Sequence, residues 1–201
     1  MLIVGINGSP KKEGNTAFLV REGLAAAAAS GAETALIHVA DALADQKIPY
    51  CTQCSTPCRG ACSRDNLLGE AFNLLRLADG VLIGSPVYFG SVSAQLKAFW
   101  DKGRVLRKEK ALYNVAGAGV TVGGSRFGGQ ETTLKALFDM MLIQGMMIVG
   151  DGFIEADCGH QGSCGQAPSG SDEFAVTRVR LTGKRLAEVA AATTALRRHR
   201  G

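Results

Sequence analysis

A chain that begins with Leu2-Ile3-Val4-Gly5-Ile6-Asn7 and then turns through Gly8-Ser9-Pro10-Lys11-Lys12-Glu13-Gly14-Asn15-Thr16 has few folds open to it. The first run is a short, continuous apolar stretch, the pattern of a strand buried on two sides, and residues 16–29 have helical composition. A strand feeding a helix through a turn of Gly, Ser and Asn leaves unpaired N–H groups in the turn, with the positive end of the helix dipole behind them. That combination binds anions. Ser9, Asn15 and Thr16 add short donors, and Lys11 and Lys12 add charge. The turn is not a nucleoside-triphosphate loop, because five residues separate Gly8 from Gly14 and Asn15 stands where that loop has lysine. The dinucleotide pattern G-x-G-x-x-G is also missing. The stretch predicts a phosphate cradle, against the alternative of a plain Gly/Ser turn with no ligand.

Four later segments read as strands: 33–39, alternating as an edge strand does, then 81–84, 113–122 and 146–149. Helices are predicted over 66–78, 91–102, 131–144 and 172–198, with a short turn at 41–44. Trp100, with Leu96 and Phe99 at core spacing, reads as packing. Residues 150–171 show little periodicity and read as an ordered functional loop or a lid. The alternation predicts a doubly wound, five-stranded parallel sheet with helices on both faces, one domain over residues 1–201 with a cysteine-rich insertion at 49–65. Ligands in such sheets bind beyond the carboxyl ends of the strands, where the strand order reverses. Loops 8–16, 85–90 and 121–130 converge there, and all three are rich in Gly, Ser or Thr.

At 201 residues and 46% hydrophobic content, the chain is ample for one α/β core. A net charge of +4 is mildly basic, and part of it is the terminal cluster Arg197-Arg198-His199-Arg200, which reads as a solvated helix end; nothing calls for nucleic acid. No apolar run approaches the roughly 20 residues of a membrane helix. The first strand begins at residue 2 and leaves no room for a signal peptide, so the expected location is cytoplasmic. Six cysteines there are expected to be metal-bound or reactive rather than disulfide-paired.

Four of the six lie close together, as Cys51-x2-Cys54-x3-Cys58-x3-Cys62. Four thiols at that density match the ligation of a [4Fe–4S] cluster, which tolerates irregular, Gly/Pro-interrupted backbone. Zinc is the rival metal; its four-thiolate sites normally use two C-x2-C knuckles, and here only Cys51-x2-Cys54 is one. Unliganded or redox thiols are the third reading. Cys158 and Cys164, in the loop after the fifth strand, read either as a redox pair or as lone loop thiols, and His160 beside them either as a proton donor or as an exposed loop histidine.

Taken together, these residues resemble the NADPH-dependent FMN reductase family of flavodoxin-like proteins, particularly its iron–sulfur flavoprotein branch. The likeness rests on Gly8-Ser9-Pro10 with Gly14-Asn15-Thr16, on Ser85-Pro86-Val87-Tyr88-Phe89-Gly90 running into Ser93-Ala94-Gln95-Leu96-Lys97-Ala98-Phe99, and on Gly128-Gly129-Gln130-Glu131-Thr132. It covers most of residues 1–151. The resemblance implies that Ser9, Lys11, Gly14, Asn15 and Thr16 hold the FMN phosphate. It implies that Pro86, Val87, Tyr88, Phe89 and Gly90 present backbone N–H groups to the polar edge of the flavin ring, with Tyr88 and Phe89 flanking it; the plainer alternative is that these aromatics close the top of the sheet. Thr121 begins the third loop, whose Gly123, Gly124, Gly128 and Gly129 would let backbone approach the ring, with Ser125, Arg126 and Gln130 offering hydrogen bonds. Members of the branch carry a comparable cysteine motif at the same place, with a tighter second spacing and a longer gap to the fourth thiol.

The implied work is electron transfer, a flavin exchanging two electrons and a cluster one, with no catalytic side chain beyond the flavin. NAD(P)H or ferredoxin would be the donor, a small molecule the acceptor, and a homodimer or homotetramer the assembly. Two other readings remain open: an NAD(P)H-dependent FMN or quinone reductase with a zinc-bound or structural cysteine loop, and a non-catalytic module sensing redox state or metal.

Overall fold

The computed structural model describes residues 1–155 and 157–197. Strand β1 (Leu2–Asn7) leads to helix α1 (Asn15–Ala29), then β2 (Glu33–His38) and a single turn, α2 (Val39–Ala42). After the cysteine loop come α3 (Leu67–Leu77), β3 (Gly80–Pro86), α4 (Ala94–Lys102) and α5 (Arg104–Glu109). Next follow β4 (Ala116–Gly123), α6 (Gln130–Ile143), β5 (Met147–Ile148), β6 (Ser163–Gln166), α7 (Glu173–Ala192) and α8 (Thr194–Arg197).

The expected doubly wound sheet is present, all parallel, in the order β2-β1-β3-β4-β5. The order reverses between β1 and β3, so the crevice lies above the carboxyl ends of these two strands. Alternation along each strand divides the core. Val4, Ile6, Val81 and Ile83 face a layer with Leu68, Phe72, Phe99 and Trp100; Ile3, Leu82, Val120 and Val122 face α1 and α7 through Leu19, Val20, Val179 and Leu186. Trp100 belongs to the core, its indole N–H donating to the Met140 carbonyl at 3.0 Å. The glycines of β4 admit a close neighbour: a methyl on Gly117 would stand 2.5 Å from the Met141 sulfur.

The sheet differs from expectation at its outer edge. Residues 150–171 do not form a loop throughout, because β6 within them pairs with Val120–Gly123 of β4. Since β3 occupies the other edge of β4, β5 and β6 share one edge end to end, and the chain leaves the sheet between Val149 and Ser163. Ser163-Cys164-Gly165-Gln166 has no apolar alternation; the exposed edge of β4 imposes the strand, which is tertiary context overriding propensity. The fourth strand starts at Ala116 rather than at residue 113, because Asn114 is left-handed (φ +61°) and donates its N–H to Gly145. The C-terminal helix breaks at Thr193. Arg197 is not a solvated helix end: it is buried, pairing with Asp79 at 3.2 Å and donating to the Ala190 carbonyl. Residues 198–200 of that basic cluster lie outside the described residues. Among the described residues no helix is long and apolar enough to cross a membrane.

Candidate functional site

The phosphate-type turn is built by Asn7, the buried last residue of β1, which carries no sequence signal beyond that of a strand end. Its Oδ1 accepts the Ser9 N–H at 3.1 Å, its amide N–H donates to the Lys11 carbonyl at 3.1 Å, and the same nitrogen lies 3.0 Å from Nδ1 of His38 at the end of β2. Gly8 is clamped from the other side: its N–H donates to the Gly84 carbonyl at 2.8 Å and its carbonyl accepts from the Ser93 hydroxyl, which also caps α4 by accepting from Leu96 N–H. A methyl at Gly8 would meet the Gly84 oxygen at 2.7 Å.

Above this frame, α1 begins at Asn15 behind Gly14, with no side-chain cap and no acidic residue in its first turn. Its leading N–H groups are therefore open to an anion. Asn15 spends its Oδ1 on the Ser169 N–H, 2.9 Å away, which leaves its NH2 as the donor. Lys12 is drawn off to Asp41 at 2.7 Å, whereas the Lys11 ammonium has no protein partner among the described residues. Glu13 also lines the site, and the Arg21 guanidinium grips it at 2.6 Å and holds its carboxyl below the usual range.

A cavity of about 490 Å³ joins the three rim loops. It takes in Ser9, Lys11, Gly14, Asn15 and Thr16 from the first, Pro86, Val87 and Tyr88 from the second, and Gly123 and Gly124 from the third. Phe18 and Ala167 also line it; no motif pointed to either. Its size lies within the range of small-molecule sites.

Several expected site residues stand elsewhere. Pro86 has no N–H, Val87 N–H donates to the Val122 carbonyl at 2.8 Å, and Tyr88 N–H to Ser91, so only the Phe89 and Gly90 N–H groups remain to be offered by this loop. Both lie at the tip of the turn in the left-handed region (φ +51° and +75°), a costly conformation for phenylalanine, and the Phe89 ring is fully exposed. The Phe89 ring therefore does not close the top of the sheet.

The Thr121 and Gln130 side chains are buried and brace the third loop. The Thr121 hydroxyl donates to the Gln130 carbonyl at 3.1 Å. The Gln130 amide accepts from Gly128 N–H at 2.8 Å and donates to the Ser125 and Gly165 carbonyls, so its hydrogen-bonding capacity is used in shaping the third loop. Ser125 and Gly128 thus serve that brace through their backbones and do not line the cavity. The loop rests against the second one, where a methyl on Gly129 would meet the Gly90 Cα at 3.2 Å. Arg126 lines a second cavity, of about 820 Å³, with Phe127, Cys164 and Phe174.

Asp151 and Asp157, outside the sheet, are pinned to α7 by an ion pair buried at Asp151. Arg178 meets Asp151 through two nitrogens at 2.6 Å and also Asp157, and the Asp151 carboxylate accepts the His160 N–H. The His160 ring is exposed and does not line the 490 Å³ cavity, and burial pushes the Cys164 thiol up.

The cysteine stretch lies over the corner between α4 and α5, with Cys58 and Cys62 packed against the core and Cys54 exposed; none is in a disulfide. Gly60 (φ +67°) sits 3.0 Å, by its absent methyl, from Val105 of α5. Gln53 N–H donates to the Cys51 sulfur at 3.4 Å, and the Lys108 ammonium donates to the Cys58 carbonyl at 3.3 Å. Burial raises the Cys62 thiol, and the charges of Lys102, Cys58 and Cys51 all reach it. The donor set, four free thiols with an N–H bond to one sulfur, suits a four-thiolate centre. Among the described residues no three Cys, His, Asp or Glu side chains are gathered as a metal site.

A parallel sheet in this order, with an open helix N-terminus in the crevice at its reversal, defines a flavodoxin-like protein. The crystal structure of a flavodoxin, WrbA-like protein from Agrobacterium tumefaciens is similar over 96% of this chain and 97% of that one, with a TM-score of 0.68 at 21% identity. The chain belongs to the NADPH-dependent FMN reductase family, whose model matches residues 1–161. It is 43% identical to an iron–sulfur flavoprotein of Methanocaldococcus jannaschii over 94% of this chain and 97% of that one, and 36% identical to another of Methanosarcina thermophila over 94% and 95%. It is a flavin-dependent oxidoreductase.

Proposed function

We propose that the cavity of the three rim loops holds FMN, with the phosphate on loop 8–16 and the ring between the second and third loops. We also propose that Cys51, Cys54, Cys58 and Cys62 bind a [4Fe–4S] cluster that passes electrons to or from the flavin. The observation that carries the reading is the uncapped start of α1, opening into a cavity beside the unpaired Lys11. A dianionic phosphate satisfies the first-turn N–H groups, the Asn15 NH2 and the Ser9 and Thr16 hydroxyls at once. The Phe89 and Gly90 N–H groups and the backbone at Gly123 and Gly124 are the donors left for the polar edge of the ring. Bound flavin supplies the redox chemistry; the protein's part is to orient it, exclude water and tune its charge with fixed N–H donors.

NAD(P)H or ferredoxin is the donor under this reading, the acceptor is a small molecule, the protein is a cytoplasmic homo-oligomer, and residues 1–201 act as one domain. The names of the relatives support the cluster. A spectrum of anaerobically purified protein with iron, zinc and flavin analysis tests both parts. FMN near one equivalent with brown colour and bound iron is the expected result. A yellow protein with zinc or free thiols removes the cluster and leaves the reductase, and failure to take up FMN overturns the whole reading.

A further inference from the structure

Lys102, the last residue of α4, is buried to 4% exposure, and its ammonium makes one hydrogen bond, to the neutral Oε1 of Gln46 at 3.1 Å. Among the described residues no carboxylate pairs with it. Asp45 accepts the Leu67 N–H at 3.0 Å and the Gln46 amide N–H at 3.1 Å, so its carboxylate, which is exposed, reaches the ammonium only through that neutral amide. An ammonium taken out of water without a counter-charge is costly, and proteins ordinarily match such groups with an anion. The negative end of α4 offers a partial match only.

The missing anion has an obvious place. Gln46 stands five residues before Cys51, and Cys62, which closes the cysteine run, packs against the core layer that contains Trp100, two residues before Lys102. Lys102 thus ends α4 at the corner that the loop covers, where Gly60 abuts Val105 and the Lys108 ammonium donates to the Cys58 carbonyl. We infer that Lys102 is the buried counter-charge of an iron–sulfur cluster held by Cys51, Cys54, Cys58 and Cys62, and that it sets the cluster's reduction potential. This inference rests on the cluster reading proposed above. A four-thiolate cluster is net negative and becomes more so on reduction, so a fixed cation nearby favours the reduced form and raises the potential. Lys102 is a positioning and tuning residue and takes no part in electron exchange itself.

The test uses the full chain, purified anaerobically with its cluster and FMN. Iron and flavin contents are measured first, then the cluster potential by an EPR-monitored redox titration. Lys102→Met is expected to shift that potential to a more negative value than wild type at equal iron and FMN content, and Lys102→Arg is expected to restore it. Gln46→Glu provides a second route, because a carboxylate on the ammonium cancels its charge without removing the side chain; it too should move the potential down. Loaded Lys102→Met or Gln46→Glu protein with the wild-type potential overturns the inference and leaves the cluster standing, with Lys102 serving only the end of α4. A wild type that holds FMN but no iron overturns the inference together with the cluster reading.

Discussion

Asn7 illustrates how one buried amide organises a ligand loop. Replacing it by alanine leaves the Ser9 N–H without its acceptor, a loss of about 1–3 kcal/mol, and FMN affinity should fall with it. Denaturant titration and flavin fluorescence measure the two separately. His38 couples the same frame to pH. It can accept the Asn7 amide N–H only when neutral, and burial, aided by the charges of Lys12 and Arg21 against that of Asp41, keeps its pKa below 6.5. The unfolded chain therefore takes up this proton at higher pH than the folded one, so stability is greatest above pH 6.5 and falls as pH drops through the folded value. An NMR titration of His38 whose midpoint lies at or above 6.5 contradicts this account. Gln130→Ala should loosen the third loop and weaken FMN binding although its side chain lies outside the cavity, because three backbone groups lose their partner. Ser9, Lys11, Asn15 and Thr16 at the cavity wall were legible in the sequence because their types announce anion binding, whereas Phe18 and Ala167 were not. Asn7, Thr121 and Gln130 were not, since a brace differs from a ligand only by what surrounds it.

At the level of elements, long segments with a clear period were readable, and those whose form comes from a neighbour were not. Strand β1, helix α1 and helix α6 declare themselves by apolar runs and composition. Strand β6 and the short helix α5 carry no such pattern, and the outer strand was expected in one piece. What holds that outer region is the Asp151–Arg178 pair, the carboxylate wholly buried and the guanidinium nearly so. Arg178→Ala strands a buried carboxylate and should cost about 3–5 kcal/mol in a chemical denaturation experiment. Arg178→Lys should recover only part of this, because an ammonium cannot match both carboxylate oxygens at once. A loss below about 1 kcal/mol, the size of a surface pair, would mean that the segment is held by something else.

For the molecule as a whole, FMN that binds only the folded state must stabilise it. At a hundredfold excess over Kd the gain is about 2.7 kcal/mol, which for a chain of this size raises Tm by about 5–10 °C. The fold class was legible because strand and helix alternate with little interruption; the cysteine loop stands apart by composition, but the buried Lys102 does not. The shared edge of β4 has one more effect. Met147 and Val149 bond to its lower half and residues 163–167 to its upper half, and Ala167, which donates to Gly123, also walls the cavity. Because the two strips are paired separately, opening of the upper one is expected to leave the lower one paired, and flavin release is expected to follow that local opening rather than unfolding of the sheet. Deuterium should then enter the amides of residues 163–167 well before those of 147–149, and bound FMN should latch the upper strip.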